Sequence, residues 1–107
     1  MDYLEPWVRY DAPNNGAAEK ELQNELSKMH VLYELSCNAL AHRIDRDDVL
    51  FQLNDETGRV AVVHLTYSGK SEKSSEYPKT VVYTSLEEWA TSTMVMDSKE
   101  YKGLAPS

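Results

Sequence analysis

Cysteine, glycine and proline are scarce in this chain of 107 residues. One cysteine, Cys37, occurs together with four glycines and four prolines. A single cysteine excludes an internal disulfide bond and a zinc site built from several cysteines. Because 41% of the residues are hydrophobic and 27% are charged, the composition is that of a globular protein. A chain of this length forms one core, so we expect a single domain over residues 1–107.

Long hydrophobic runs and a secretory signal are also lacking. No apolar run approaches the roughly 20 residues that would cross a bilayer. The N-terminal sequence MDYLEPWVRYD has no basic region followed by an apolar stretch. We therefore expect a cytoplasmic protein that does not bind membranes.

Basic residues are outnumbered by acidic residues, 11 to 18, and the formal net charge is −7. Nucleic-acid binding requires basic residues that neutralise phosphates, and here they are scattered among acids. The charge pattern thus argues against nucleic acid as a partner. The same field would attract a basic protein, which we expect as the partner.

The segment from Ala17 to His42 has the spacing of a long amphipathic helix. Its apolar residues recur every three or four positions, which keeps them on one helical face. They are Leu22, Leu26, Met29, Tyr33, Cys37 and Leu40, and the same spacing continues to Ile44, just beyond the segment. Asparagines at positions 14 and 15 suit a helix start, because their side chains can accept free backbone amides. We predict one long N-terminal helix, preceded by an aromatic arm over residues 1–13.

Two apolar segments joined by a short turn predict a β-hairpin. The first strand covers Val49 to Leu53, residues 54–58 form the turn, and the return strand runs from Arg59 to Tyr67. A polar connection follows, and residues 80–83 then predict a third strand.

Residues 85–88 fit a capping box, in which Ser85 and Glu88 reciprocally satisfy free backbone amides at a helix start. A shorter C-terminal helix follows, with Trp89 expected to face the sheet and residues 98–107 expected to form a polar tail. The predicted fold is therefore α+β, with a long N-terminal helix, a three-stranded antiparallel sheet and a shorter C-terminal helix.

The stretch TYSGKSEK, residues 66–73, shares Gly69-Lys70-Ser71 with a nucleotide-binding loop. Such a loop needs another glycine five positions before Gly69, where this chain has His64. It also needs a helix that begins at the lysine, whereas acidic residues and a proline follow here. The pattern indicates the end of a strand and an exposed loop.

Three histidines and Cys37 are the remaining candidates for catalysis or metal binding. Cys37 lies within the apolar stripe and is interpreted as a core residue. His64 alternates with valines and is interpreted as hydrogen-bonded and partly buried, and His42 as a residue near the end of the long helix. A dyad of Cys37 with a histidine is the alternative. We predict no catalytic residues, no metal site and no cofactor.

Asp45, Asp47 and Asp48 form an acidic corner after the predicted helix. Their spacing lacks the glycine and the distal glutamate of a calcium loop. One interpretation of the corner is a solvated acidic surface beside the hairpin, and its functional alternative is a contact site for lysine or arginine side chains of a partner. The loop after the return strand supplies the other predicted contact residues, which are Tyr67, Lys70, Glu72, Glu76 and Tyr77.

Three stretches resemble a family of small bacterial proteins for which no activity is established. They are DDVLF at residues 47–51, VVHLTYSGK at residues 62–70 and SLEEW at residues 85–89. The resemblance covers residues 30–90 and includes no catalytic residue. It implies a bacterial cytosolic protein. By analogy, small acidic proteins of this kind act as immunity proteins or antitoxins.

Three hypotheses for function follow from these patterns. The first is a non-enzymatic, protein-binding module of the immunity type, which neutralises a toxin. The second is a small-molecule-binding domain or minor enzyme that uses His64, Tyr67 and Lys70 at the end of the central strand. The third is a structural homodimer joined through the third strand or the long helix.

Overall fold

The computed structural model describes residues 2–10, 16–66 and 78–104. Five strands in this part of the chain form one antiparallel sheet, in which consecutive strands are neighbours. The strands are β1 (Trp7–Arg9), β2 (Cys37–Arg43), β3 (Asp48–Leu53), β4 (Val60–His64) and β5 (Thr80–Tyr83). The helices are α1 (Ala17–Glu25), α2 (Leu86–Trp89) and α3 (Val95–Leu104), and a π-helical segment, Ala90–Met94, joins α2 to α3. Residues 86–104 together are the C-terminal helix.

The middle of the sheet is buried on both faces. Val49, Leu50 and Phe51 follow one another in β3, and each is at most 1% exposed. Because successive side chains of a strand point to opposite faces, both faces must be covered. Leu22 of α1 shares a core with Phe51, whereas Trp89 of the C-terminal helix shares a core with Leu50. The sheet therefore separates two hydrophobic cores.

The two cores differ in composition. The α1-face core is mainly aliphatic and consists of Ala18, Leu22, Leu26, Leu32, Cys37, Val49, Phe51, Leu53, Ala61, Val63 and Leu65. The helix-face core contains both tryptophans and consists of Trp7, Ala41, Leu50, Val60, Trp89, Ala90 and Met94. The two indole rings meet edge to face, with centroids 5.1 Å apart and planes at 90°. The expectation that Trp89 faces the sheet is confirmed.

The predicted long N-terminal helix is wrong, because α1 ends at Glu25. Of the predicted apolar stripe, only Leu22 lies within the helix. Met29, Tyr33 and Ile44 are 80%, 38% and 52% exposed. Cys37 and Leu40 lie in β2 instead.

The physical reason is that β3 needs a neighbouring strand on each edge. β2 supplies one of them, pairing from Cys37 opposite Leu53 to His42 opposite Val49. The register shifts between Ala39 and Ala41, so one extra residue interrupts the strict alternation of β2. Because of this extra residue, the apolar residues of β2 have a spacing like that of a helix, although they lie in a strand.

The predicted three-stranded sheet is also wrong, because β1 and β2 add two strands. β1 lies within the predicted aromatic arm, where Trp7 pairs with Arg43 and Arg9 with Ala41. Trp7 is 1% exposed, so this arm contributes to the core. Three residues are too few for a period of two to stand out in the sequence.

The predicted hairpin is confirmed, although its return strand, β4, spans only Val60–His64. β3 and β4 pair in register from Asp48 opposite His64 to Gln52 opposite Val60. The third strand predicted at residues 80–83 is also present, as β5, and it pairs with β4. Gly58 in the connection has a φ of 78°, a conformation that favours glycine.

The C-terminal helix begins as predicted, with one difference. Ser85 Oγ accepts a hydrogen bond from the Glu88 amide at 3.0 Å. The Glu88 carboxylate accepts the amide of Thr84, at 2.8 Å, rather than that of Ser85. The helix continues to Leu104, through part of the segment expected to be a polar tail. Every helix in the described part of the chain is too short or too polar to cross a bilayer.

Candidate functional site

Asp45 lies in the turn between β2 and β3 and is held by Arg43. The Nε and Nη2 atoms of Arg43 donate to the two carboxylate oxygens of Asp45, each at 2.8 Å. This hydrogen bonding holds the pKa of Asp45 below its usual value. Arg43 Nη1 also lies 3.5 Å from an oxygen of Asp97 in α3. Asp45 therefore already has a cationic partner within the chain.

Asp48 is paired with His64 across β3 and β4. The two residues are opposite each other in register, and His64 Nδ1 lies 2.6 Å from Asp48 Oδ1. Arg46 Nη1 is 3.9 Å from the other carboxylate oxygen. His64 is thus hydrogen-bonded, as predicted, and its side chain is 51% exposed. The pairing fixes one ring nitrogen of His64 against a carboxylate.

Ile44 and Asp47 are both exposed on a turn whose backbone is held at both ends. The Ile44 amide donates to the Pro6 carbonyl oxygen at 2.9 Å. The Leu65 amide donates to the Asp47 carbonyl oxygen at 3.0 Å. The turn therefore presents an apolar side chain and a carboxylate on an ordered backbone.

Ile44 also borders a concavity of about 520 Å³ along β1. Ile44 and Val8, 52% and 37% exposed, give it apolar surface, and the exposed Asp2 and Glu5 give it negative charge. We call this concavity the β1 groove, and Tyr3, Trp7 and Arg9 complete its lining. The groove and the acidic corner adjoin at Ile44.

A second concavity, of about 290 Å³, surrounds His64. Its lining combines two basic side chains, Arg46 and Lys79, with apolar surface from Val62 and Val81. We call it the His64 concavity, and Asp48 and Thr80 complete its lining. Val81 is 54% exposed there. The C-terminal helix therefore leaves this corner of the sheet accessible.

Five of the predicted contact residues lie outside the described residues. They are Tyr67, Lys70, Glu72, Glu76 and Tyr77. Their part in a contact site stays a prediction. Asp45, Asp47 and Asp48 are brought together at one turn, but two of the three are paired within the chain. Of these three carboxylates, Asp47 is therefore the one best suited to contact a partner.

Cys37 is buried in the α1-face core, as predicted. Its Sγ lies 3.7 Å from the Leu35 carbonyl oxygen. Burial, and to a smaller extent the carboxylates of Asp55 and Glu19, raise the pKa of Cys37 to about 11. The thiol is therefore protonated at neutral pH, which disfavours a role as nucleophile.

His30 and His42 have structural contacts. The ring of His30 is buried, where Nδ1 accepts the Leu32 amide and Nε2 lies 3.0 Å from the Pro78 carbonyl oxygen. The prediction that His42 lies near a helix end is wrong, since it is in β2 and stacks on Tyr10 at 4.5 Å. No group of three or more potential metal ligands occurs in residues 2–10, 16–66 and 78–104.

Sequence reasoning missed the residues that organise the acidic corner. Trp7 Nε1 donates to Asp97 at 2.9 Å, although the two residues are 90 positions apart. No local spacing predicts such a contact. The sequence contains one weak indication that Ile44 is exposed. Charged residues lie on both sides of it, which is more typical of an exposed turn than of a core.

Comparisons of the chain with protein-family models, with curated proteins and with solved structures found no match. The resemblance to a family of small bacterial proteins therefore stays a prediction.

Proposed function

We propose that this protein is a non-enzymatic binding module that recognises a basic protein through the β1 groove and the adjoining acidic corner. The observation that carries the proposal is the exposed Ile44, which lines the β1 groove and directly precedes the acidic corner. The most concrete form of this function is an immunity-type protein that neutralises a basic toxin in the cytoplasm.

The apolar part of the surface supports a protein partner. Single exposed apolar residues are common, but Val8 and Ile44 line the same groove. Protein interfaces typically have an apolar centre with a polar rim. Here the exposed Asp2, Glu5 and Asp47 supply that rim.

The charge of the rim supports a basic partner. With a net charge of −7, the chain attracts cationic proteins at long range. Arg43 partly offsets the charge of Asp45, and Arg9 in the groove lining offsets one of the two groove acids. The attraction at short range therefore depends mainly on Asp47 and the remaining groove acid. Complementary charge of this kind speeds association and selects between partners.

The backbone of the surface supports binding without rearrangement. The hydrogen bond from Ile44 to Pro6 joins the turn to the start of β1, and Trp7 anchors β1 in the helix-face core. A surface that is already ordered loses less conformational entropy on binding.

The test compares two charge-reversal variants, Asp47→Lys and Glu34→Lys. Each changes the net charge from −7 to −5, and both residues are exposed. Glu34 precedes β2 and Asp47 follows it, so a strand of seven residues, spanning roughly 20 Å, separates them. Immobilised protein is exposed to lysate of the cells that produce it, at low salt, and the captured proteins are identified.

A basic protein should bind the wild-type chain and Glu34→Lys equally. Asp47→Lys should recover it at least about tenfold less, because the substitution adds repulsion at the rim. Equal recovery with both variants would place the contact elsewhere. A chain recovered alone under these conditions would contradict the proposal.

A second candidate function is small-molecule binding at the His64 concavity. The observation in its favour is that His64, oriented by Asp48, lies in a concavity with Arg46 and Lys79. Basic side chains beside apolar surface suit a small organic anion. This candidate places the ligand at the end of β4, where the second hypothesis expected it.

The second candidate is tested by NMR titration with a panel of small carboxylates and phosphate esters. A ligand should shift the amide signals of Thr80 and Val81 in wild type and in His42→Gln, but not in His64→Gln. His42→Gln is the matched control, because it makes the same change at a histidine outside the concavity. If no compound shifts these signals, or if His64→Gln responds like wild type, the candidate is wrong.

A further inference from the structure

We propose that β5 is a self-association edge, at which a second copy of this chain adds its own β5 to form a continuous ten-stranded sheet. This inference goes beyond the proposed function, because it uses the edge of the sheet opposite β1. In the described part of the chain, no strand pairs with the outer edge of β5.

The hydrogen-bonding pattern shows which groups of β5 face outward. The His64 amide donates to the Lys79 carbonyl oxygen at 2.9 Å, and this pair is followed in register by Val63 opposite Thr80. Hydrogen-bonded and non-hydrogen-bonded pairs alternate along an antiparallel ladder. The amides and carbonyls of Thr80 and Val82 therefore point away from β4.

These outward groups can pair with the same groups of a second copy. If Thr80 of one chain lies opposite Val82 of the other, a twofold axis passes between the two copies of Val81. Two residues from each chain then exchange backbone hydrogen bonds, and the two Val81 residues form the close, non-hydrogen-bonded pair at the centre. A twofold interface of this kind is self-complementary.

Val81 is the side chain that such pairing would bury. It is 54% exposed on the face that carries the His64 concavity, and it lines that concavity. Across the axis it would pack against its counterpart, and cross-strand pairs of β-branched residues stabilise sheets. The two His64 concavities would become neighbours, each bordered by Val81 of the other chain.

The charges at the two ends of β5 suit an antiparallel second copy. Arg46 and Lys79 lie around the start of the strand and outnumber the one carboxylate there, Asp48, which lies beside Arg46. Glu87 and Glu88 lie in the first turn of α2, just after the end of the strand. Antiparallel pairing brings the start of one strand beside the end of the other. Positive and negative groups would then be brought together twice, which favours a second copy over a basic partner at this edge.

The first experiment is sedimentation velocity at about 0.15 M salt, where repulsion between the net charges is largely screened. A short strand pair gives a small interface, so protein concentrations from about 10 to 500 µM are needed. We expect a concentration-dependent shift from monomer to dimer. Monomer at every concentration would overturn the proposal.

Matched lysine variants locate the interface. Val81→Lys should weaken dimerisation at least about tenfold, because like charges would lie directly opposite each other. Met96→Lys is the control, since Met96 is an apolar residue of nearly the same exposure, 55%, on α3. If both variants weaken the dimer equally, or only Met96→Lys does, β5 is not the interface.

A cysteine variant tests the register. Residues of a non-hydrogen-bonded pair have Cα atoms about 4.5 Å apart, which a disulfide can span. Val81→Cys should form a disulfide-linked dimer in glutathione buffer, much faster than Met96→Cys. The native Cys37 is buried, with a pKa of about 11, and does not compete. Equal rates for the two variants would refute the Val81-centred register.

The proposed binding function and the proposed dimer can be tested independently of each other. Asp47→Lys should dimerise like the wild-type chain, because Asp47 lies outside β5. Val81→Lys should capture the basic partner like the wild-type chain, because Val81 lies outside the β1 groove. Loss of both properties in either variant would show that the two surfaces are one interface.

Discussion

On each face of the sheet, acidic side chains of the covering helix accept hydrogen bonds from other elements, and the donors differ between the two faces. On the α1 face, the Glu25 carboxylate accepts the Thr66 amide at 2.8 and 3.1 Å, and Glu19 accepts the Ala39 amide at 2.8 Å. These donors are uncharged backbone groups. On the other face, Asp97 accepts Trp7 Nε1 and lies beside the guanidinium of Arg43.

The kind of partner determines how each helix is positioned. Every residue except proline has a backbone amide, so the contacts of Glu25 and Glu19 depend on the path of the backbone. They do not require particular side chains at Thr66 and Ala39. The contacts of Asp97 require an indole and a guanidinium at particular positions of β1 and β2. Stability on the α1 face should therefore depend on aliphatic packing and backbone pairing, and on the other face on a few specific side chains.

The largest effect should follow from removing Trp7. Trp7→Ala deletes a ring that is 1% exposed and packs against Trp89, and it leaves Asp97 without its indole donor. We expect a loss of about 3–5 kcal/mol in the free energy of unfolding. Urea unfolding followed by circular dichroism measures it.

Trp7→Phe separates the two contributions of Trp7. It keeps an aromatic ring in the helix-face core but removes the donor to Asp97, so the loss should fall to about 1–2 kcal/mol. If Trp7→Ala costs no more than Trp7→Phe, the polar contact dominates and aromatic packing does not distinguish this face.

A smaller effect should follow from truncating Glu25. This side chain is fully buried, and Glu25→Ala removes the carboxylate that accepts the Thr66 amide. We expect a loss of about 1–3 kcal/mol, with faster hydrogen exchange of the Thr66 amide. Glu100→Ala, at an exposed acid of α3, is the control and should change stability by less than about 0.5 kcal/mol. An unchanged exchange rate at Thr66 would show that the contact does not hold α1.

The hairpin could be predicted from sequence because its signal is local. β3 and β4 are apolar runs on either side of a short turn with Gly58 at a positive φ. β2 could not be predicted, because the extra residue between Ala39 and Ala41 interrupts the alternation of its buried and exposed side chains. Glu25, the last residue of α1, accepts the Thr66 amide, which is 41 positions away in the chain. Local spacing contains no information about contacts at that separation.

The candidate site was predictable in part for the same reason. The acidic corner is a local cluster, so the sequence identified Asp45, Asp47 and Asp48. Which of them remains available to a partner depends on Arg43 and on His64, and the latter comes from another strand. The apolar part of the surface was missed, because Ile44 was counted in the apolar stripe of a predicted long helix, which ends at Glu25 instead.

A change of pH should affect the stability of the two faces differently, by a smaller amount than these substitutions. Near the acidic corner the pKa of Asp45 is lowered, so its contribution is present at neutral pH and is lost only as the pH falls through the folded-state value. In the α1-face core the pKa of Cys37 is raised from 9.0 to about 11. The unfolded chain releases this proton first, so stability should fall as the pH rises from 9 towards 11.

Cys37→Ala should remove this alkaline loss, although it lowers stability at neutral pH by creating a cavity. The comparison is the difference in unfolding free energy between pH 7 and pH 10.5, measured with a reductant for both chains. Wild type should lose about 1–2 kcal/mol more than Cys37→Ala over this range. Burial also raises the pKa of Tyr3, on the other face, but that contribution is common to both chains and cancels. Equal losses in the two chains would mean that the thiol ionises in the folded protein as easily as in water, and that the α1-face core admits solvent at the start of β2.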